Sequence, residues 1–588
     1  MEQLLTIKDL LNAYRDGSVT PRDILFEKLN LAKNDTHNVW LSLVSDDMME
    51  RYLQSLSQYD VDELPLYGVP FAIKDNIDLA GLTTTAGCAE FAYQPDESAF
   101  VVELLMAAGA VPIGKTNLDQ FATGLVGTRS PWGAVTNSFN PDYISGGSSS
   151  GSAVSVATNQ VFFSLGTDTA GSGRVPAAFN NILGLKPTRG ALSCRGVVPA
   201  CRTLDCVSFF ARTAQDLSVL QQVASIYDPK DSYSRVLDTA SVPCFQSLSD
   251  VRIGVPKPDQ LAFFGNQDYQ RHFEQSVQRW SALGANIVEF DLSPFLQAAN
   301  LLYQGPWVAE RYAAIQSFFD EHASACLPEI ETIIGGATSL SAVETFKAMY
   351  QLQEFKVMCD ERLNDVDVVI TPTAGTTYTI EEIHADPISL NSQLGYYTNF
   401  MNLLDYSAIA CPSSFMSNGL PFGFTLFAPA GYDQYLIELA AVWQNATCLP
   451  LGNIGKYDSE TTMPLLVCGA HMSGLPLNHQ LIELGGDFSE YTQTSNDYRF
   501  YALAGGPPYR PGLVRDTQNG GKIDVEIWQL PIKSIGQLLA EIPHPLGLGS
   551  VELVNGEWVK GFICEPIATE GARDITHMKS WRRYMESV

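Results

Sequence analysis

Apolar helical stretches alternate with short runs of β-branched residues through about residue 450. Residues 98–109 are spaced as a helix and 110–113 as a buried strand, and the same order repeats at 151–160 and 161–165. Further strands are predicted at four apolar runs, several of them preceded by helical stretches: 251–255, 287–290, 366–370 and 422–427. Strands separated by helices favour a central, largely buried sheet with helices on both faces. The pattern therefore predicts an α/β fold.

The pattern changes after a predicted helix at 433–445. Residues 450–464 contain prolines, glycines and small polar residues, which is typical of a linker. Beyond it, 524–528 alternates with period 2, and Asn555-Gly556 lies between two strand-like runs, which predicts a hairpin with a type I′ turn. We therefore predict a first domain at 1–450, a linker at 451–463 and a smaller, β-rich α+β domain at 464–588.

Charge and composition narrow the possible functions. The 588 residues include 36 Lys and Arg against 65 Asp and Glu, a formal net charge of −29. A surface that negative repels phosphate backbones and anionic lipids, so we expect no nucleic-acid or membrane partner. The N-terminus lacks the features of a signal peptide, and no apolar run is long enough to span a bilayer. Eleven cysteines without a C-x-x-C pair predict reduced thiols in the cytoplasm and no zinc site.

Two glycine-rich segments match catalytic motifs in the wrong context. Residues 109–116 fit the phosphate-loop pattern, but a helix precedes them and the variable positions are typical of a strand. Residues 147–151 fit the serine-hydrolase elbow, but a loop rather than an apolar strand precedes them. That elbow also needs a histidine, and the first 450 residues hold only His37, His272, His322 and His384. We expect neither motif to function as its pattern suggests.

A longer set of motifs carries the strongest signal. It consists of four blocks in the order 68–76 (GVPFAIKDN), 146–153 (GGSSSGSA), 165–178 (LGTDTAGSGRVPAA) and 184–188 (GLKPT). These blocks closely resemble the amidase signature family over essentially residues 1–450. The resemblance implies a central mixed sheet flanked by helices, and an enzyme that hydrolyses amides.

Amide cleavage needs a nucleophile, a base, an acid for the departing amine and donors for the oxyanion. Where histidine is scarce, a lysine whose pKa is lowered by burial can be the base. Lys74 ends the apolar run 69–73, where desolvation favours the neutral amine. The alternative is that Lys74 is a solvated charge at the end of a strand.

The resemblance assigns roles to individual residues. Lys74, Ser148 and Ser172 match the Lys–Ser–Ser triad of the family, in which Ser172 attacks and Ser148, after a cis peptide bond, relays protons. Small residues before the nucleophile, Thr169, Ala170 and Gly171, let backbone N–H groups converge as an oxyanion hole. The family often has glycine where this chain has Ala170. Water and side chains supply this chemistry, so no metal or organic cofactor is expected.

Residues 302–311 narrow the substrate. They resemble the carboxylate clamp of allophanate hydrolases, in which Tyr303 and Arg311 match the substrate-binding pair. Eight residues span about 12 Å of an unbroken helix, too far for both to reach one carboxylate, but Gly305-Pro306 could break the helix. The alternative is that Arg311 is a surface residue of an amphipathic helix.

The C-terminal residues extend this resemblance over nearly the whole chain. Segments 467–481, 545–553 and 561–565 resemble the C-terminal domain of allophanate hydrolases, which has a γ-glutamylcyclotransferase-like fold. His479 and His471 are candidates to assist a second step, because a near-neutral imidazole can shuttle a proton. Either could equally be a core histidine bonded to the backbone.

The function implied is hydrolysis of allophanate at its terminal amide in urea degradation, giving ammonia and N-carboxycarbamate, which breaks down to ammonia and CO2. We expect a homodimer, and functional pairing with a biotin-dependent urea carboxylase on a separate polypeptide. One alternative is an amidase for another small amide, or the glutamine-hydrolysing subunit of an amidotransferase. In another, the C-terminal domain serves only for dimerisation or docking.

Overall fold

The chain forms two compact units. A computed structural model describes residues 5–237, 242, 244–245, 247–447, 449–450, 452–454 and 462–587. The first unit comprises Met1–Phe273, Ala285–Val442 and Pro450–Gly455, and the second Glu274–Gly284, Trp443–Leu449 and Lys456–Val588. Most of the predicted linker, residues 451 and 455–461, lies outside the described residues, and its last two residues belong to a strand. The boundary at 451–463 therefore stays a prediction.

The sequence up to residue 447 forms sixteen α-helices and eleven strands within its described residues. The helices are α1 (Ile7–Arg15), α2 (Pro21–Lys33), α3 (Asp46–Leu56), α4 (Phe100–Ala107), α5 (Ser150–Ala157), α6 (Val175–Phe179), α7 (Ala214–Ala224), α8 (Gln267–Ala282), α9 (Ser293–Gln304), α10 (Trp307–His322), α11 (Pro328–Gly335), α12 (Ala342–Leu363), α13 (Ile380–Ala385), α14 (Ser389–Leu394), α15 (Phe400–Leu403) and α16 (Asp433–Thr447). The strands are β1 (Trp40–Leu43), β2 (Pro70–Lys74), β3 (Val111–Thr116), β4 (Phe163–Asp168), β5 (Leu183–Lys186), β6 (Cys206–Ala211), β7 (Arg252–Pro256), β8 (Asn286–Phe290), β9 (Val368–Pro372), β10 (Tyr406–Phe415) and β11 (Pro421–Pro429).

All eleven strands join one mixed sheet, in the order β1-β3-β2-β4-β6-β5-β10-β11-β9-β7-β8. The pairs β2–β3, β2–β4, β7–β8 and β7–β9 are parallel, and the others are antiparallel. Strands such as β2, β4 and β6 are buried along their whole length, because helices cover the sheet. The predicted α/β architecture with a central mixed sheet is confirmed.

The phosphate-loop match at 109–116 is a strand, as its context indicates. Gly109 follows the end of α4, and Gly114, Lys115 and Thr116 all lie within β3. The Lys115 ammonium pairs with the buried carboxylate of Asp75 at 3.2 Å and is not available to a phosphate.

The C-terminal residues form a smaller β-rich structure, as predicted. Three helices are present, α17 (Asn478–Glu483), α18 (Ile532–Glu541) and α19 (Trp581–Glu586). The strands are β12 (Thr462–Val467), β13 (Asp487–Gln493), β14 (Tyr498–Ala502), β15 (Pro511–Arg515), β16 (Asp524–Pro531), β17 (Leu546–Glu552), β18 (Trp558–Cys564) and β19 (Arg573–Asp574). They form a five-stranded sheet, β13-β16-β12-β18-β17, and a three-stranded sheet, β15-β14-β19. A shared core that includes Trp528 and Trp581 packs the two together.

The predicted hairpin is confirmed, but its predicted turn type is wrong. Strands β17 and β18 are antiparallel, and the Leu553 N–H donates to the Glu557 carbonyl at 2.8 Å, which leaves a three-residue loop. A type I′ turn needs positive φ at both central residues, yet only Gly556, at φ 87°, adopts it. The longer loop places glycine at its left-handed position and leaves Asn555 in an ordinary conformation.

In the described part of the chain, no helix is both long and apolar enough to cross a membrane.

Candidate active site

Lys74 lies at the centre of the candidate site. It is the last residue of β2, which runs parallel to both β3 and β4. Because the carboxyl ends of parallel strands meet at one edge of a sheet, Lys74 lies beside the loops that follow β3 and β4. Its side chain is 0% exposed, and Nζ donates to Ser148 Oγ at 2.8 Å and to Thr167 Oγ1 at 2.7 Å. The alternative of a solvated lysine is therefore wrong.

Burial lowers the pKa of Lys74 to about 7. Desolvation of the ammonium is the largest cause, since the charged form loses its hydration in the interior. The carboxylates of Asp119, Asp168 and Asp205 oppose the shift, and the Arg311 guanidinium adds to it. At neutral pH a large fraction of this amine is uncharged and able to accept a proton.

Ser148 follows a cis peptide bond, Gly147–Ser148, as the family resemblance implies. The neighbouring Ser149 is the N-cap residue of α5, but its side chain makes no capping bond. Its hydroxyl donates instead to the Thr167 carbonyl at 3.0 Å, which ties the start of α5 to β4. Ser148 is thus the serine of this run that contacts Lys74.

Ser172 lies in the loop between β4 and α6. A buried ion pair between Asp168 and Arg174, at 2.9 Å, braces this loop. The Ser172 hydroxyl donates to the Gly124 carbonyl at 3.5 Å. Among the described residues, no hydrogen bond joins Ser172 to Ser148. The structure therefore brings Lys74 and Ser148 into direct contact, and it leaves the predicted bond between the two serines unformed.

The three predicted oxyanion donors differ in whether their backbone N–H groups are already hydrogen-bonded. In the described structure, the backbone N–H groups of Thr169 and Ala170 have no hydrogen-bond partner. The Gly171 N–H, in contrast, donates to Asp168 Oδ1 at 2.9 Å. Gly171 has φ 133°, and a Cβ there would lie 2.8 Å from the Cβ of Thr398. Its N–H is thus occupied, and Gly171 instead lets the loop turn closely past Thr398.

Asp119 holds the two serine loops together, a role that the sequence analysis missed. Its N–H donates to the Ser148 carbonyl at 3.1 Å, and its buried carboxylate accepts from the backbone N–H of Gly127 at 3.1 Å. A Cβ on Gly124 would lie 2.7 Å from Asp119 Oδ2. The same Gly124 carbonyl accepts the Ser172 hydroxyl, so one segment contacts both serines. The sequence signal that could have indicated Asp119 is its position, three residues after the end of β3 and therefore at the same sheet edge as Lys74.

Arg311 and Tyr303 converge as predicted. Helix α9 ends at Gln304 and α10 begins at Trp307, so Gly305-Pro306 separates them. The Arg311 guanidinium lies 5.8 Å from the centre of the Tyr303 ring. Its side chain is buried, so the alternative of a surface arginine is wrong. Nη1 donates to Thr123 Oγ1 at 3.0 Å, one residue before the carbonyl that contacts Ser172.

Asp205 is a second residue that the sequence analysis missed. It is buried, and its carboxylate accepts from Thr169 Oγ1 at 2.5 Å and from the Cys201 N–H at 3.1 Å. Burial raises the pKa of Asp205 to about 6, and the nearby Arg311 opposes that rise. The carboxylate thereby anchors the first residue of the predicted oxyanion loop. No motif spacing pointed to Asp205, because it lies outside the four blocks of the family resemblance.

Comparison with known proteins assigns this unit to a family. The Amidase family matches residues 26–437, well over half of the chain. The chain belongs to the amidase family. A glutamyl-tRNA(Gln) amidotransferase subunit of Methanosarcina barkeri is 33% identical over 431 residues, which cover 68% of this chain and 89% of that protein.

Two further comparisons cover nearly the whole of this amidase-family chain. A urea amidolyase of Saccharomyces cerevisiae is 42% identical over 611 residues, which cover 99% of this chain and 33% of that protein. The chain thus spans about a third of the length of the curated urea amidolyases it matches. A solved structure of Kluyveromyces lactis allophanate hydrolase is 40% identical, with a TM-score of 0.72 and 99% coverage of both chains.

The second unit of this amidase-family protein also has a family match and a cavity. The allophanate hydrolase C-terminal domain matches residues 463–586. A cavity of about 160 Å³ in this region is lined by residues that include His471, Gln480, Arg510, Glu541 and Phe562. It brings an imidazole, a guanidinium and a carboxylate to one apolar recess.

Of the two predicted histidines, His471 rather than His479 lines this cavity. His471 stacks on Phe562, with ring centres 4.8 Å apart, and its Nε2 contacts Gln480 Oε1 at 2.8 Å. Burial lowers its pKa. His479 is exposed on α17, because Asn478 and Leu481 occupy the buried positions of that helix. The structure therefore disfavours a catalytic His479 and makes His471 the better candidate.

Proposed function

We propose that this protein hydrolyses the terminal amide of allophanate through Lys74, Ser148 and Ser172. The observation that carries the proposal is a fully buried amine, with a pKa of about 7, that donates to a serine hydroxyl 2.8 Å away. Similarity over 99% of the chain to an allophanate hydrolase supports the choice of substrate.

Acylation begins when neutral Lys74 takes a proton from Ser148, and Ser148 takes one from Ser172. The Ser172 oxygen then attacks the terminal carbonyl carbon, and the oxyanion that forms accepts from the free N–H groups of Thr169 and Ala170. Ser148 gives its proton to the terminal nitrogen as the C–N bond breaks, and ammonia leaves. Lys74 then returns its proton to Ser148, so the amine is neutral again. The relay requires the Ser172 hydroxyl to leave the Gly124 carbonyl and donate to Ser148 instead. Catalytic hydrogen bonds often form only in the substrate complex.

Deacylation repeats the relay with water. Water loses a proton through Ser148 to Lys74, and its oxygen attacks the acyl carbon. Ser172 then leaves with the proton that Lys74 returns through Ser148, which regenerates the neutral amine. The sum is allophanate plus water giving N-carboxycarbamate plus ammonia. The proton of the new carboxyl group passes to ammonia to give ammonium, so atoms and charge balance without a redox partner.

Arg311 and Tyr303 would bind the substrate carboxylate. Within the described structure, Arg311 donates one N–H to Thr123, and its other N–H groups would bind a planar carboxylate in bidentate fashion. Tyr303 lies beside it and adds a hydroxyl donor. Because Thr123 and Gly124 are adjacent, a carboxylate held by Arg311 is presented near Ser172.

The second unit would assist breakdown of N-carboxycarbamate to ammonia and CO2. The cavity lined by His471, Arg510 and Glu541 supports this, because a guanidinium can hold a carboxylate while a neutral imidazole shuttles a proton. The competing view, that this unit only assembles or docks the protein, predicts no loss of chemistry when His471 is changed.

Ammonia release from allophanate and from biuret, its uncharged analogue, tests the proposal. We expect Ser172→Ala, Ser148→Ala and Lys74→Ala each to lower kcat by at least about a thousandfold on allophanate, with unchanged circular dichroism. Arg311→Ala should raise KM for allophanate about tenfold or more and leave biuret nearly unaffected. Wild-type turnover by Ser172→Ala, or equal losses on both substrates in Arg311→Ala, would count against the account.

A control for the second unit uses its two histidines. His471→Asn should leave the rate of release of the first ammonia unchanged but slow the release of CO2. His479→Asn should slow neither release. Equal behaviour of the two variants would favour a docking role.

The rival function is glutamine hydrolysis within an amidotransferase. The 33% identity to the Methanosarcina barkeri amidotransferase subunit supports this alternative. A net charge of −29 disfavours a surface that approaches tRNA. Turnover of glutamine and malonamide in the same assay separates the two functions. Functional pairing with a biotin-dependent urea carboxylase and a cytoplasmic location remain part of the proposal.

A further inference from the structure

One tight turn lies between the carboxylate clamp and the oxyanion loop (169–171). Residues 200–205 form this turn, and the N–H groups of Leu204 and Asp205 both donate to the Cys201 carbonyl at 2.8 Å. The turn directly precedes β6, so the central sheet fixes one of its ends. We name residues 200–205 the bridging turn, because its two sides contact two different parts of the candidate site.

On one side, the bridging turn fixes the oxyanion loop through Asp205. The buried carboxylate of Asp205 accepts from the Thr169 hydroxyl at 2.5 Å. Within the turn, the same carboxylate accepts from the N–H groups of Ala200 and Cys201, at 2.8 and 3.1 Å. Because three donors converge on one carboxylate, it cannot turn without losing a bond. The turn therefore sets the position of Thr169, whose own N–H is a proposed oxyanion donor.

On the other side, the bridging turn holds the start of α10. The Glu310 carboxylate accepts from both the N–H and the hydroxyl of Thr203, at 2.7 and 2.8 Å. The Cys201 thiol donates to the Trp307 carbonyl at 3.5 Å. Glu310 directly precedes Arg311, the proposed carboxylate-binding residue. The bonds to Glu310 therefore fix the part of the helix that carries the carboxylate clamp.

Apolar packing joins the same three parts of the molecule. One buried cluster contains residues of the oxyanion loop, the bridging turn and α10: Ala170, Cys201, Leu204 and Trp307. Tyr303 of the carboxylate clamp packs against this cluster. A close-packed interior resists changes of shape, so the oxyanion loop and the carboxylate clamp keep a fixed separation.

We propose that the bridging turn sets the length of substrate that the site accepts, by fixing the distance between the oxyanion donors and the carboxylate clamp. This inference rests on the proposed function. Asp205 is a positioning residue that acts through Thr169. Glu310 is a second positioning residue, which acts through the turn of α10 that carries Arg311.

The substrate class that fits is a linear amide whose carboxylate carbon is separated from the amide carbonyl carbon by one atom, as in allophanate. One further methylene lengthens the substrate by about 1.3 Å. A misplacement of about 1 Å can cost about a hundredfold in rate, because the reacting atoms no longer meet in line. A fixed separation between the two parts of the site thus discriminates sharply by length.

Two stable amides measure the length that the site selects. Malonamate has one carbon between its amide carbonyl and its carboxylate, in the place of the nitrogen of allophanate, and succinamate has two. In each case the amide and water give a dicarboxylate and ammonium. We expect wild type to prefer malonamate over succinamate by about a hundredfold or more in kcat/KM. Equal use of the two would refute this inference alone, whereas no turnover of allophanate or malonamate would refute the proposed function with it.

Threonine-to-valine changes at the two sides of the bridging turn test its role. Thr169→Val removes the bond to Asp205 and keeps the backbone N–H, and Thr203→Val removes one of the two bonds to Glu310. Each should lower the malonamate preference about fivefold, because malonamate loses its alignment while succinamate is already misaligned. KM for malonamate should change less than about threefold, since Arg311 keeps its contacts.

The double variant tests whether the two sides act through one connection. If Thr169 and Thr203 are linked through the bridging turn, the preference of the double variant should lie within about twofold of the more affected single variant. Thr332→Val removes an exposed hydroxyl bond to the Pro328 carbonyl, is the matched control, and should keep the wild-type preference. A ratio of two substrates on one preparation cancels any difference in folded fraction. Single variants that keep the wild-type preference, or a double variant in which the two losses multiply, would each overturn the proposal.

Discussion

Lys74 illustrates how one buried residue sets both chemistry and stability. The Lys74 amine lies at the end of β2 and is 0% exposed. Burial lowers its pKa to about 7. The sequence predicted this residue because an apolar run precedes it inside a family block. Asp119 and Asp205 were not predicted, because the contacts of those carboxylates depend on how loops distant in sequence fold together.

Lys74 should lower stability most at low pH. Its folded pKa lies below the unfolded value near 10.5, so from about pH 7 upward the unfolded chain holds the proton more tightly than the folded protein. The destabilisation is therefore full below pH 7 and shrinks as pH rises toward 10.5. We expect Lys74→Met to gain stability over wild type, by on the order of 2 kcal/mol more at about pH 6 than at about pH 9.

Urea unfolding of both proteins at the two pH values measures that difference. Ser172→Ala, which removes no ionisable group, is the control and should show no such trend. A Lys74→Met gain that grew with pH would contradict the assigned pKa direction.

At the scale of elements, the site depends on how closely two loops approach. A Cβ on Gly147 would collide with Asp119 Oδ2 and lie 2.6 Å from the Gly127 N. The glycine block at 146–147 was visible in the sequence, but the neighbour that requires it was not. The predicted type I′ turn was also wrong because a neighbour distant in sequence decided the geometry. The register of β17 and β18, rather than the Asn-Gly pair, sets the loop length.

Gly147→Ala should therefore destabilise the first unit by at least about 2 kcal/mol and abolish turnover, because backbone atoms cannot move aside cheaply. The matched control is Gly536→Ala in α18, where an added Cβ meets nothing within 4 Å. That variant should gain about 0.5–1 kcal/mol from helix propensity. Thermal unfolding with an ammonia assay distinguishes them, and equal stability of the two variants would refute the proposed clash.

At the scale of the whole molecule, the large negative net charge affects stability. A formal charge of −29 spread over a folded chain repels itself, and that repulsion opposes the compact state. The central mixed sheet and the β-rich second unit followed from residue patterns, because strand and helix periodicities are local signals. The exposure of Phe346 and Tyr350 on α12 did not follow, because exposed apolar residues resemble core residues until the structure shows which face is covered.

Sodium chloride should accordingly stabilise the protein. Raising it from about 20 mM to about 200 mM at pH 7 screens the repulsion and should raise Tm by about 2–5 °C. Near the sequence pI of about 4.6 the same step should have little effect, because the net charge is close to zero. Differential scanning calorimetry checks both conditions, and a Tm that falls with salt at pH 7 would contradict the expectation.

The central claim is that neutral Lys74 starts the reaction, and the pH dependence of kcat/KM tests it most directly. Allophanate is suitable because its carboxylate stays ionised from about pH 6 to about pH 9. The rate should be level above the pKa of about 7 and fall toward tenfold per pH unit below it. In Asp119→Asn, which removes a carboxylate that raises this pKa, the fall should move to lower pH. A flat profile in wild type, or a fall that stays in place in Asp119→Asn, would contradict the account.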